Sequence, residues 1–388
     1  MKVNTKIFCI VGITLILATA VAGCVILKGK GKEIENYNPE QTTEEVNEEI
    51  KEPDKADDKI EEKEPESAPT DEPTAIPTEV SAPETEGVAE KVYLTKTEEG
   101  IAAYQSLLGQ SQKESIQYKA QQIDELLAKL KGTENNYVPE IDGYCDTSIE
   151  DINGRSVYVL TDKNGYDRII IYIHGGSFVT NVTATQLHYA DNLANDINAK
   201  LYVPIYPLAP THTYEETYSM LTTLYEEALN EGKSITILGD SAGGGIALGF
   251  VEELKEKGIK LPDKLALISP LVDITSTNEE TYSYEAGDPL VTRYEIIMCG
   301  LAWAGSTDVY DYHVSPIYGD LTGMPKTLVI TGTNELLYKD IEKFYNIMED
   351  NKQDIKLVIG DGLFHVFPFY PIPESDEASG ILRNFITQ

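Results

Sequence analysis

Beyond residue 150 the chain alternates between short β-branched or apolar runs and longer stretches whose apolar positions recur at helical spacing. The runs Arg155–Thr161, Arg168–Ile173, Lys200–Tyr206, Ser234–Leu238, Lys264–Ser269, Lys326–Thr331 and Ile355–Ile359 read as strands. Between them Leu187–Ile197, Tyr214–Leu229, Ile246–Lys257, Arg293–Trp303 and Lys339–Glu349 read as helices. This βαβ rhythm predicts an α/β domain with a mostly parallel sheet, helices on both faces and ligands at the carboxyl ends of the strands. Ahead of the sheet, Glu98–Leu108 and Glu114–Leu130 predict two more helices, the second with an apolar stripe through Ile116, Ala120, Ile123, Leu127 and Leu130. Such a pair packs on a core. From its position before the sheet, the region 97–131 could equally form a helical cap over a substrate pocket.

The first ninety residues follow a different pattern. Lys2 and Lys6 precede an apolar run from Ile7 to Leu27, interrupted only by Thr14 and Thr19, which reads as a membrane-targeting segment within residues 1–32. As a helix its 21 residues would span about 31 Å, enough for an uncleaved anchor across a bilayer of about 30 Å. Alternatively, Val21-Ala-Gly-Cys24 resembles a bacterial lipobox, which would make Cys24 the lipidated residue after cleavage. Residues 33–90 hold 21 Asp or Glu against four Lys, with seven Pro and a single aromatic residue. That composition cannot bury enough apolar surface to offset ordering entropy, and it predicts a disordered acidic stalk. Residues 91–388 are left as the folded domain. The expectation is an extracytoplasmic domain tethered to the cell membrane.

Composition removes several classes of function. A net charge of −34 and a pI near 4.4 disfavour nucleic acid. Cys9 and Cys24 fall in the apolar segment while Cys145 and Cys299 stand alone, so neither a metal site nor a disulfide scaffold is implied. A Cys145–Cys299 bridge is compatible with an extracytoplasmic domain, but spacing does not decide it.

The chemistry gathers where strands end. Ser234–Leu238 is followed by Gly239-Asp-Ser-Ala-Gly243 and then by an apolar helix start, the setting of a nucleophile elbow with Ser241 at its tip. Glycines two residues either side of the serine suit a turn at which backbones pass closely. The strand ending at Ile173 runs into His174-Gly-Gly-Ser-Phe178. There the amides of Gly175 and Gly176 can point into the space at the strand end, as an oxyanion requires.

Taken together, His174-Gly-Gly-Ser-Phe178, Tyr206-Pro-Leu-Ala-Pro210, Gly239-Asp-Ser-Ala-Gly-Gly244, Ser269-Pro-Leu-Val-Asp273, Ser315-Pro-Ile317, Thr331-Gly-Thr-Asn-Glu-Leu-Leu337 and Phe364-His-Val-Phe367 resemble the successive motifs of the hormone-sensitive-lipase-like esterases. The resemblance covers about residues 140–388. It implies the α/β-hydrolase fold, a carboxylic-ester hydrolase with a Ser, acid, His triad, and a cap built largely from the N-terminal helices. The family often has a third Gly or Ala where this chain has Ser177, and more often Asp where it has Glu335.

Elimination reaches the same triad. Of the five histidines, His174, His188 and His212 precede Ser241 and His313 precedes the acid-bearing loop. The order nucleophile, acid, histidine therefore leaves His365. Glu335 follows a predicted strand and can meet a histidine loop at the same sheet edge, whereas Asp340 falls in a predicted helix and Asp361 on the histidine's own loop. The reading is a serine esterase using Ser241, Glu335 and His365, with an oxyanion hole at Gly175, Gly176 and Ala242, no cofactor and a small neutral short-chain ester as substrate. Amidase or peptidase action, deacetylation of a saccharide and a non-catalytic binding domain remain as alternatives. Oligomeric state is left open.

Overall fold

The structure, a computed structural model, describes residues 87–134 and 136–388. The apolar run Ile7–Leu27, Cys24 and the acidic segment up to residue 86 lie outside the described residues. Among the described residues no helix is long and apolar enough to cross a membrane.

Nine strands form one sheet: β1 (Ala89–Tyr93), β2 (Asp146–Ile152), β3 (Arg155–Thr161), β4 (Arg168–Ile173), β5 (Ala199–Pro204), β6 (Ser234–Asp240), β7 (Lys264–Ile268), β8 (Lys326–Gly332) and β9 (Ile355–Gly360). Their order is β1-β9-β8-β7-β6-β4-β5-β3-β2. The pairs from β1 to β5 across the sheet are parallel, while β3 runs antiparallel to both β5 and β2. Among the described residues eight α-helices accompany the strands: α1 (Glu98–Ser111), α2 (Ile116–Leu130), α3 (Ala184–Asp196), α4 (Tyr214–Asn230), α5 (Ala242–Glu256), α6 (Arg293–Ala304), α7 (Tyr338–Asp350) and α8 (Pro373–Thr387).

The central strands read as near-continuous apolar runs because both of their faces are covered. Alternate residues divide between two cores. Ile169, Ile171, Ile237 and Leu267 pack with α4, α5 and α7 on one face, whereas Ile170, Tyr172, Leu238 and Ile268 pack with α3 and α8 on the other. Cys299 belongs to the first core and Cys145 to the second, and both are free thiols, so the bridge left open by the sequence is not formed.

All seven expected strands and all seven expected helices are present with ends shifted by a few residues. Three elements were not expected: β1, β2 and α8. β2 reads Asp-Thr-Ser-Ile-Glu-Asp-Ile and is exposed at its first four positions, as an edge strand can be, so apolar alternation does not mark it. β1 pairs in parallel with β9 along the opposite edge and begins at Ala89, two residues inside the expected stalk. In α2, Ala120 and Ile123 are buried, but Ile116 at the start of the stripe is exposed.

Topology fixes where a ligand can sit. From β4 the chain crosses through α3 to β5 on one side, then returns through α4 to β6 on the other side of β4. The loops leaving the carboxyl ends of β4 and β6 therefore diverge, and a crevice opens between them. Those loops are His174–Phe178 and the turn at Ser241.

Candidate active site

Ser241 stands between β6 and α5 at φ 53°, ψ −125°. A side-chain-bearing residue there costs about 1–3 kcal/mol, so the surroundings must impose the conformation. They do so through close backbone approach. A Cβ on Gly239 would lie 2.3 Å from the carbonyl of Gly243, and one on Gly243 would lie 2.1 Å from that of Ile173. The two glycines thus meet the need read from the sequence. Hydrogen bonds from the Ser241 amide to Ile268 O and from the Leu271 amide to Ser241 O, each 2.9 Å, complete the turn.

His365 and Glu335 come to this turn from the loops after β9 and β8. His365 Nε2 is 2.9 Å from Ser241 Oγ, and His365 Nδ1 is 2.9 Å from Glu335 Oε2. A carboxylate only accepts, so Nδ1 carries the proton and Nε2 offers its lone pair to the serine hydroxyl. Glu335 is fully buried, and its other oxygen accepts from Thr331 Oγ1. The two loops are stitched together by Asn334 N to Leu363 O (2.7 Å), Asn334 Nδ2 to Gly362 O (2.9 Å) and Gly362 N to Thr333 Oγ1 (2.7 Å). Val366 N donates to Ser269 Oγ at 3.0 Å, which ties the histidine loop to the end of β7.

Burial alone would lower the His365 pKa. The Glu335 hydrogen bond and the charges of Glu335, Asp288 and Asp240 outweigh that effect and hold the imidazole above its ordinary 6.5. Asp288 also accepts from the amides of Leu290, Val291 and Leu336, locking the segment before α6 onto the acid loop.

The loop after β4 lies against the serine: a Cβ on Gly175 would fall 2.9 Å from Ser241 Cβ. Here the structure departs from expectation. The amide of Gly175 does not face the crevice but donates to Asp240 Oδ1 at 3.0 Å. Asp240 is buried and also accepts from Tyr172 OH (2.6 Å) and Gln186 Nε2 (3.1 Å), so the residue preceding Ser241 clamps the glycine loop. Gly176 and Ala242 keep amides with no acceptor among the described residues, and the amide of Ser177, which the sequence reading passed over, is in the same state.

The remaining histidines lie apart from this site. His174 is buried with Nδ1 2.8 Å from Gly175 O and its ring stacked on Tyr206 at 4.4 Å; burial drives its pKa down to about 4, so it stays neutral. His188 Nδ1 meets Ala184 O on its own helix, His212 pairs with Glu134, and His313 pairs with Asp311. Asp340 binds Asn278, and Asp361 binds Lys96 and Thr333, so neither approaches the imidazole.

A strained serine on a strand–helix elbow, a histidine hydrogen-bonded to it and a buried carboxylate behind the histidine define a serine hydrolase of the α/β type. A family model described as alpha/beta hydrolase fold matches residues 170–369, more than half of the chain. An esterase of Acinetobacter venetianus is 30% identical over 227 residues, covering 57% of this chain and 75% of that protein. An acetyl-hydrolase of Streptomyces hygroscopicus is 25% identical over 224 residues, covering 56% and 75% respectively. In structure, a hormone-sensitive lipase from a metagenome library shares the fold with a TM-score of 0.64 at 24% identity, over 76% of this chain and 99% of that one. The chain belongs to the alpha/beta hydrolase fold family and is a hydrolase of the carboxylesterase type.

Proposed function

We propose that Ser241, His365 and Glu335 hydrolyse short-chain neutral carboxylic esters through an acyl-enzyme. The observation that carries this reading is the unbroken chain Ser241 Oγ, His365 Nε2, His365 Nδ1, Glu335 Oε2, with 2.9 Å at each hydrogen bond. Ser241 Oγ attacks the ester carbonyl as its proton passes to Nε2. The imidazolium so formed is stabilised by Glu335 and returns the proton to the departing alcohol. A water molecule deprotonated by the same nitrogen then releases the acid.

The tetrahedral oxyanion is held by the amides of Gly176, Ser177 and Ala242, the last at the first turn of α5, where the helix dipole adds to the stabilisation. Gly175 serves this hole indirectly, through its bond to Asp240. A short neutral acyl group is supported by the similarity to an acetyl-hydrolase and by the carboxyls of Asp240, Asp288 and Glu335 around the histidine, which disfavour anionic esters. The helices α1 and α2 form part of a cap. They reach the segment around α6 through Tyr104 OH to Gly287 O (3.0 Å) and Tyr294 OH to Asp124 Oδ1 (2.7 Å). Outside the described residues, the targeting segment and acidic stalk hold the enzyme on the outer side of the cell membrane, by lipid on Cys24 or by a helix.

The test is a panel of 4-nitrophenyl esters of increasing acyl length against the matching anilides. Fast turnover of acetyl to butyryl esters with slow anilides is expected. Anilides cleaved as fast as esters would make it an amidase, and turnover of neither would leave a silent fold.

A further inference from the structure

The loop after β4 places Gly176, Ser177 and Phe178 at φ 127°, 53° and 64°. Three successive residues in the left-handed region, two of them bearing side chains, adopt a conformation that neighbours must hold in place. Asp240 fixes the near end through Gly175. At the far end Ala209 N donates to Phe178 O at 3.0 Å, and the side chains of Ser177 and Phe178 are both held from one helix, α6. Ser177 Oγ donates to Glu295 Oε1 at 2.6 Å, and the Phe178 ring stacks on Trp303 with centroids 4.9 Å apart and planes within 11°.

Glu295 occupies the position where a capping box would use it locally. Thr183-Ala-Thr-Gln186 closes both halves of such a box, Gln186 N to Thr183 Oγ1 at 3.2 Å and Thr183 N to Gln186 Oε1 at 2.9 Å. Thr292-Arg-Tyr-Glu295 has the same signature and closes only one half, Glu295 N to Thr292 Oγ1 at 3.2 Å. The Glu295 carboxyl accepts its short bond from Ser177 and also draws on the Thr292 amide. The serine that departs from the family's usual Gly or Ala and the glutamate in the first turn of α6 are therefore partners.

We propose that the Ser177–Glu295 hydrogen bond positions the oxyanion loop, so that Glu295 is a positioning residue for ester hydrolysis without touching the substrate. This rests on the reading of Ser241, His365 and Glu335 as the triad. A fixed Ser177 side chain fixes the direction of its own amide and of Gly176, the two donors this loop supplies. Because a preorganised donor acts on the charge that develops in the transition state, losing the clamp should lower kcat and leave KM nearly unchanged.

The test is a double-mutant cycle on the full chain with 4-nitrophenyl butyrate and with a boronic acid as transition-state analogue. Ser177→Ala and Glu295→Ala are each expected to lower kcat by about tenfold to a hundredfold, below the loss of a whole oxyanion donor. KM should stay within about threefold, and boronate affinity should fall in step with kcat. The double variant should be no worse than the poorer single one, since both remove the same bond. Glu295→Gln, whose carbonyl still accepts from Ser177, should recover most of the loss and keep the fold testable if Glu295→Ala misfolds. Independent, multiplying losses, a change confined to KM, or no recovery in Glu295→Gln would overturn the proposal. Ser241→Ala separates the two levels: if it stays active the triad reading fails, and if it is dead while the pair variants behave as the parent, only the clamp fails.

Discussion

Three carboxylates compete in the sequence for the role of triad acid, and their surroundings separate them. Glu335→Gln keeps the size of the side chain and the Thr331 contact while removing the charge that stabilises the imidazolium. Its kcat should fall by about three to four powers of ten, with the melting temperature little changed. Asp361→Asn loses only its exposed contacts to Lys96 and Thr333, so kcat should change by no more than a few-fold. Asp340→Asn should likewise leave kcat within a few-fold, because Asp340 binds Asn278 away from the histidine. A crippled Asp361→Asn beside a healthy Glu335→Gln would reverse the assignment. The pH dependence follows from the same contacts. Nε2 must be unprotonated to act as base and the His365 pKa is held above 6.5, so kcat/KM should fall as pH drops through a limb above 6.5. A limb well below that value would mean that the carboxyls around His365 do not govern it. The meeting of Ser241, His365 and Glu335 was legible in the sequence because few histidines were available and the fold fixes the order of the parts. Gly175 was misread because Asp240, one residue from the nucleophile, captures its amide, and no spacing rule reports that.

At the scale of elements, the elbow depends on glycines that leave no room for a methyl group. Gly243→Ala would bring a Cβ to 2.1 Å from Ile173 O, separating β4 from α5 and lowering stability by about 3 kcal/mol, as overpacking does. A urea midpoint equal to that of the parent would show that the turn relaxes freely. Helix α5 also carries Glu252, whose two carboxyl oxygens are buried with no hydrogen-bond partner among the described residues; burial pushes its pKa up to about 9. In the fold it holds its proton over a range in which the unfolded chain has released it. Its contribution therefore lowers stability as pH rises from about 4.5, the ordinary value, towards 9. Glu252→Gln should melt near the parent's temperature at pH 4.5 and above it at pH 8. Equal melting curves at pH 8 would mean that Glu252 finds a partner or water. Elements were legible wherever burial on one or both faces dictated composition. β2 and β1 escaped because edge strands tolerate polar residues. α8 escaped because its Pro-Glu-Ser-Asp-Glu start reads as a loop until its apolar face, through Ala378, Leu382 and Phe385, meets the sheet.

For the whole molecule, a net charge of −34 sets a long-range field that slows the approach of anionic esters. Succinyl esters should be turned over more slowly than butyryl esters at low salt. The gap should narrow towards 0.5 M salt, as the screening length drops below about 10 Å; a succinyl preference at low salt would contradict this. For the proposed tether, protease added to intact protoplasts should release the catalytic domain, and release only after lysis would place it inside. Cys24→Ala blocks lipid modification but leaves a helical anchor intact, so the variant's membrane fraction distinguishes the two tethers. The central claim is that Ser241 is the nucleophile. A fluorophosphonate traps an activated serine, so peptide mapping by mass spectrometry after treatment should find one adduct, on the peptide containing Ser241, with esterase activity lost in proportion to labelling. Complete labelling of another residue, or full activity with Ser241 modified, would contradict the account.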